Sequence, residues 1–172
     1  SQAGGATALL VSGNTVEGAG GFGIAISGFS TVEVSGNTLA SSAAGAAIGQ
    51  DAIRITGGSA VTVNGNTIAT GAGNVLTVGS AGGSDAGIRL VNPGGNFTIT
   101  NNRIDDGDVG ILIDNTAGAA TSVLTLSGNT IDGTTLTINE DAVRVSNTSN
   151  QSMTVILASS TMTGFTDAGI EV

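Results

Sequence analysis

Apolar side chains recur along this chain at fixed offsets from a single anchor position. The stretch VEVSGNTLAS at 32–41 returns as VTVNGNTIAT at 61–70 and as LTLSGNTIDG at 124–133. LLVSGNTVEG at 9–18, FTITNNRIDD at 97–106 and VILASSTMTG at 155–164 are fainter copies, the last with serine in place of the anchor asparagine. Aligned on Asn14, Asn37, Asn66, Asn102, Asn129 and Ser160, the residues five and three places before the anchor and two places after it are apolar in every copy. Residues between them, such as Glu33, Thr62, Thr98 and Thr125, are mostly polar. Alternation with period two in β-branched residues predicts half-buried strands, and no helical period competes with it.

A second phrase separates the copies: GIAI at 23–26, AIRI at 52–55, GIRL at 87–90, GILI at 110–113, AVRV at 142–145 and GIEV at 169–172. A small residue followed by apolar, variable, apolar predicts a third short strand. The small residues (Gly23, Ala52, Gly87, Gly110, Ala142 and Gly169) are expected to relieve crowding at a corner. Together the two phrases build a coil of three strands. Asparagine enters the left-handed αL region more readily than other non-glycine residues, so the anchor itself is expected to turn the chain. Stacked Asn14, Asn37, Asn66, Asn102 and Asn129 are expected to form an amide ladder. The residue after the anchor, threonine in five copies and Arg103 in the other, is expected to face outward. Anchor intervals run from 23 residues (Asn14 to Asn37) to 36 (Asn66 to Asn102). Strands have to stack, whereas loops such as SSAAGAAIGQ and GAGNVLTVGSAGG are free to vary in length.

The run V-x-V-S-G-N-T-I followed by G-I-x-I resembles the degenerate coil repeat of right-handed parallel β-helices, the pectin-lyase-like fold, from about Ala8 to Val172. The resemblance implies an all-β, right-handed parallel β-helix solenoid of about six three-strand coils, one domain over residues 1–172. At a strand separation near 4.8 Å such a rod is roughly 25–30 Å long. A left-handed β-helix would show a strict hexapeptide period, which the uneven intervals lack. The fold leaves the activity open, since its members include polysaccharide lyases and hydrolases, phage tailspikes and passengers of exported adhesins.

Composition sharpens this picture in a few places. Glycine is abundant (29 of 172 residues), yet hydrophobic residues make up 40% of the chain, enough aliphatic surface to offset the entropy of ordering it. Four arginines, no lysine and no histidine stand against thirteen acids, for a net charge of −9. That balance excludes a phosphate-binding basic stripe, hence a nucleic-acid partner, and disfavours anionic membrane surfaces. No run approaches the ~18 apolar residues of a membrane span, so no membrane insertion of this segment is expected. Without cysteine there is neither a disulfide framework nor thiolate chemistry.

The candidate chemistry flanks the third strand. Arg54, Arg89 and Arg144 fill its outward slot, which holds Ala25, Leu112 and Glu171 in the other coils. Asp51, Asp85, Asp108, Asp141 and Asp167, with Glu140 beside one of them, come just before it. Such a column is similar to the site of β-helical polysaccharide lyases. In those enzymes carboxylates hold calcium, which neutralises a uronate, and a basic residue abstracts the proton α to the carboxylate. Carried onto this chain, the set would be Arg54, Arg89, Asp85 and Asp108. Recurrence coil by coil, together with the absence of Trp, Tyr, Lys and His, favours instead a surface ion-pair ladder with no catalytic role and no cofactor. Asp105, Asp106 and Asp108 in DDGD are calcium candidates by charge, but they lack the spacing of a defined calcium loop and a solvated turn is expected.

The expected function is a structural or adhesive segment of a secreted or bacterial cell-surface protein, acting as a rigid rod or self-associating module. The alternatives are a calcium-dependent polysaccharide lyase or hydrolase, and a filament subunit assembling by end-to-end stacking. Possible partners are a surface glycan, a protein ligand, or a second copy held through the end coils. The chain opens inside the first strand phrase and closes inside the third strand of the sixth coil, with no amphipathic helix at either end. The solenoid is therefore expected to be uncapped at both ends and to be a segment of a longer one.

Overall fold

The computed structural model describes residues 7–40, 48–69, 85–105, 107–117, 121–133 and 140–172. Among them the regular structure is all β: eighteen strands in three parallel sheets of six. Sheet A takes the strand that precedes each anchor, from Ala8–Ser12 in the first coil to Met153–Ala158 in the sixth. Sheet B begins just after the anchor, from Thr15–Glu17 to Thr161–Thr163. Sheet C holds the small-apolar phrase, from Ile24–Ser27 to Ile170–Glu171. Each strand of the four middle coils pairs with its equivalents one coil above and one coil below, and those of the first and sixth coils with one neighbour, which is the expected six-coil solenoid.

The register places like on like. In sheet A, Leu9, Val32, Val61, Phe97, Leu124 and Val155 form one inward column. Leu39, Ile68, Ile104 and Ile131 form another in sheet B, and Ile53, Ile88, Ile111 and Val143 a third in sheet C. Side chains in these columns are buried in the four middle coils, whereas Leu9, Val11, Val16, Val155, Leu157 and Met162 of the outer coils are half-buried. Burying one such aliphatic fully stabilises by roughly 1.5–3 kcal/mol, so the middle coils hold most of the core energy.

The first corner corrects the expectation about the anchor. Two residues always join sheet A to sheet B, and the first of them enters the left-handed region. Gly13, Gly36, Gly65 and Gly128 have φ between 61° and 66°, while Asn101 (55°) and Ser159 (53°) take that position in the fourth and sixth coils. None of the anchors has positive φ. The glycine makes the bend, which frees the asparagine to turn inward.

There it builds the ladder. Asn37, Asn66, Asn102 and Asn129 are each 1% exposed. Every anchor from Asn14 to Asn102 donates both its backbone N–H and its Nδ2 to the Oδ1 of the next anchor, at 2.9–3.1 Å. Asn37, Asn66, Asn102 and Asn129 also donate Nδ2 to the carbonyl three residues before the previous anchor (Val11, Val34, Val63 and Ile99). The ladder thus satisfies groups that burial would otherwise penalise. At Ser160 it weakens: Asn129 N–H reaches the shorter hydroxyl at 3.3 Å. Restoring the common pair with Ser159→Gly and Ser160→Asn is expected to stabilise by about 1–2 kcal/mol, from relief of αL strain and one more buried amide bond. Urea melts of the double variant read this; a midpoint at or below that of the parent would show that the ladder does not extend to the sixth coil.

Length varies at the second corner. Connections from sheet B to sheet C range from four residues (105–108) to sixteen (70–85). The two segments that the sequence marks as variable fall between these sheets, and residues 41–47 and 71–83 of them lie outside the described residues. Sheet C then starts under tight packing. A Cβ on Gly23 would come within 2.7 Å of Ala52 O and Leu39 Cδ2, while Ala52 and Ala142 are fully buried. Gly23 and Gly110 relieve crowding as the sequence suggests, whereas a Cβ on Gly169 would meet nothing closer than 4.0 Å.

Candidate functional site

Sheet C presents the outward column that holds three of the four arginines. Ala25, Arg54, Arg89, Leu112, Arg144 and Glu171 stand in register, one per coil. Arg54 and Arg89 are neighbours across one strand separation, an arrangement that repels unless a carboxylate intervenes. Asp51 does so. It lies 3.7 Å from Arg54 Nη1 and 4.0 Å from Arg89 Nη1, is 1% exposed, and accepts the Ala86 N–H at 2.9 Å. Arg89 turns its other nitrogen to Asp114 at 2.9 Å, and Arg54 lies 5.1 Å from the centre of the Phe22 ring.

Leu112, in the same column, is 4% exposed and packs with Ala86 and Val109 in a small apolar cluster apart from the main core. It separates this group from the one around Arg144. That guanidinium pairs with Glu140 at 2.9 Å, with Glu171 at 2.6 Å, and with the fully buried Asp141. Asp141 repeats the role of Asp51 three coils on, accepting the N–H of Ala168 at 3.0 Å. The shared spelling D-A-I-R at 51–54 and D-A-V-R at 141–144 is therefore one device. A buried carboxylate staples the backbone of the following coil while an arginine above it balances the charge.

Burial opposes the charge on Asp51 and outweighs the Ala86 N–H and the two arginines, with Asp85 adding repulsion, so its pKa is raised. For Arg144, burial opposes the charge, but Glu171, Asp141 and Glu140 overcome it and hold the guanidinium above its ordinary value. The raised Asp51 pKa has a stability consequence. Between the ordinary carboxylate value of about 4 and the raised one, the native state binds the proton that the unfolded chain has lost. This contribution is complete below the unfolded pKa and is lost as pH rises through the folded pKa. Stability of the parent relative to Asp51→Asn is thus expected to fall from pH 4 towards neutrality. Paired urea titrations across that range measure it, and a difference that stays level or rises would refute the assignment.

Of the catalytic set suggested by resemblance, Arg54 and Arg89 are brought together, and Asp85 and Asp108 are brought together. Asp85 N–H approaches Asp108 Oδ2 at 3.4 Å, and Asp108 N–H donates to the Asp85 carbonyl at 2.9 Å. The carboxylates seated against the two arginines are Asp51 and Asp114, neither of which was in that set. Asp114 belongs to the strand Val109–Asn115, and sequence spacing gave no sign that it reaches one coil back to Arg89. Among the calcium candidates, Asp105 is 7% exposed and is bound to Arg103 at 2.7 Å, and Asp106 lies outside the described residues. No group of three or more His, Cys, Asp or Glu among the described residues could hold a metal ion.

A second asparagine motif also escaped the sequence reading. Asn92, Asn115 and Asn147 each stand five residues after the small head of the third strand, Gly87, Gly110 and Ala142. Asn115 opposes Asn147 and donates Nδ2 to its Oδ1 at 3.0 Å. Asn92, one residue beyond the Val91–Asp114 pair and at φ 49°, accepts the N–H groups of Thr116 and Ala117. The common offset was the available signal.

A family model described as "Right handed beta helix region" matches residues 2–172. Neither a curated protein nor a solved structure matches the chain.

Proposed function

The chain belongs to the right-handed β-helix family, and on that footing we propose that it is a structural or adhesive rod segment of a secreted or bacterial cell-surface protein. The observation that carries this reading is continuity. The asparagine ladder runs through the first five coils and the stacked apolar columns through all six, and the sheet C arginines close on carboxylates of their own and adjacent coils. Charges spent on holding neighbouring coils together suit stiffness more than turnover. Surface glycans or proteins are the ligands such a rod would meet.

The rival reading is a calcium-dependent lyase or hydrolase. Millimolar calcium is expected to leave the melting temperature nearly unchanged, and uronate polymers to yield no ultraviolet-absorbing unsaturated products. Ligand binding to the native state alone stabilises by about 2.7 kcal/mol at a hundredfold excess over Kd. A large upward shift abolished by Asp108→Asn, with product formation, would replace the rod by the lyase.

A second reading, the filament subunit, draws on the sixth coil. Met153, Val155, Leu157 and Val172 line an apolar recess there with Val145 and Asn147. The ladder also has a direction, since each anchor donates its N–H to the following one. A face of this kind receives a further parallel coil, from whichever chain supplies it.

A further inference from the structure

The outward face of sheet A is nearly uncharged. Its six strands each turn three aligned side chains outward, and of those eighteen Glu33 alone is charged. Ordinary soluble surfaces are roughly 25–35% charged. Among the described residues, the large hydrophobics more than a third exposed are Leu10 (61%), Val123 (38%), Ile156 (46%), Ile170 and Val172. The first three all lie on this face. Its polar groups are partly satisfied within the face: Ser35 donates to Glu33 at 3.0 Å and Thr100 to Asn64 at 3.0 Å. Removing such groups from water costs less than removing unpaired ones.

We infer that this face is a dimer interface, occupied by the same face of a second copy with the coil order reversed. The central column supplies the argument. From first coil to sixth it reads Leu10, Glu33, Thr62, Thr98, Thr125, Ile156. A two-fold axis lying between the faces and parallel to the strands sets the first coil against the sixth. Leu10 then meets Ile156 of the second copy, Glu33 meets Thr125, and Thr62 meets Thr98. In the flanking columns Val123 meets Thr31, and Asn64 meets Thr100. The other two-fold arrangement, with the axis along the stack, sets Glu33 against Glu33 and is disfavoured by like charge. Six strands about 4.8 Å apart and five residues long cover roughly 500 Å² per copy, about 1,000 Å² in all, which is the lower limit for a specific interface. The dimer is accordingly concentration-dependent.

This surface is separate from the ends of the coil, and the test separates the two. Face-to-face association closes at two copies, whereas stacking through end coils grows without limit. Sedimentation from micromolar to near-millimolar protein is expected to level off at twice the monomer mass. Leu10→Arg and Ile156→Glu, both exposed and outside the core, should each weaken association at least tenfold. The double variant should recover it, because reversed order brings each arginine against the other copy's glutamate. The two positions are five coils apart, roughly 24 Å, too far to pair within one chain. A chain monomeric throughout, open-ended growth insensitive to the single variants, or a double variant no better than the singles would overturn the proposal. Circular dichroism of each variant confirms the fold, and Thr125→Glu, which sets a second carboxylate against Glu33 of the other copy, provides an independent break if either end variant unfolds.

Discussion

Asn66→Val is expected to destabilise the protein by about 3–4 kcal/mol, among the largest effects available to a single side chain here. Asn66 is 1% exposed and stands at the middle of the ladder. Its Oδ1 accepts the backbone N–H and the Nδ2 of Asn37, both at 2.9 Å. Its Nδ2 donates to Val34 O at 2.9 Å and to Asn102 Oδ1 at 3.0 Å. Valine removes all four bonds and leaves the two Asn37 donors and the Val34 carbonyl in a place that water does not reach, each costing about 1–3 kcal/mol before relaxation, while Asn102 Oδ1 keeps the backbone N–H of residue 66. Backbone strain adds little, because the left-handed residue of this turn is Gly65 (φ 62°) and not Asn66. Chemical denaturation of the variant measures the loss. A cost below about 1 kcal/mol would mean that the ladder decorates the turn without holding it.

Gly110→Val is expected to cost about 3–5 kcal/mol, or to prevent folding, for a steric reason. A Cβ at Gly110 would stand 2.6 Å from both Ala142 O and Ile131 Cγ2. Ala142 O cannot retreat, since it accepts the Ile111 N–H at 2.9 Å, and Ile131 is fully buried in the sheet B column. Gly169 occupies the same slot in the sixth coil but would bring its Cβ no closer than 4.0 Å to Phe165 Cε2. Gly169→Ala is therefore the control, with an expected change within about 0.5 kcal/mol. Equal losses at the two sites would place the cost in strand propensity and not in the packing of one coil on the next.

Much of this architecture was legible in the chain because a parallel solenoid repeats its local rules. Inward and outward slots follow from period two, and stacking like on like makes each copy of the phrase a witness for the others. Val32, Val61, Phe97 and Leu124 could be assigned to one buried column, Arg54, Arg89 and Arg144 to one outward column, and the anchors to a ladder, without coordinates. The three-strand coil and the position of the variable loops followed from the same alignment.

Tertiary structure decided what depends on contacts from one coil to the next. It assigned the left-handed corner to Gly13, Gly36, Gly65 and Gly128 in place of the asparagines, because a buried amide that must bond in both directions along the stack leaves the bend to its neighbour. It chose Asp51 and Asp114 as the partners of Arg89, pairings set by which coils lie above and below and not by spacing along the sequence. It also gathered Leu10, Val123 and Ile156, scattered over 147 positions of sequence, onto one nearly uncharged face. Sequence alone determined which side of each strand a residue occupies, since that is a local property of the extended backbone. What stands beside it on the next coil is settled only when loops of unequal length have closed and the strands have come into register.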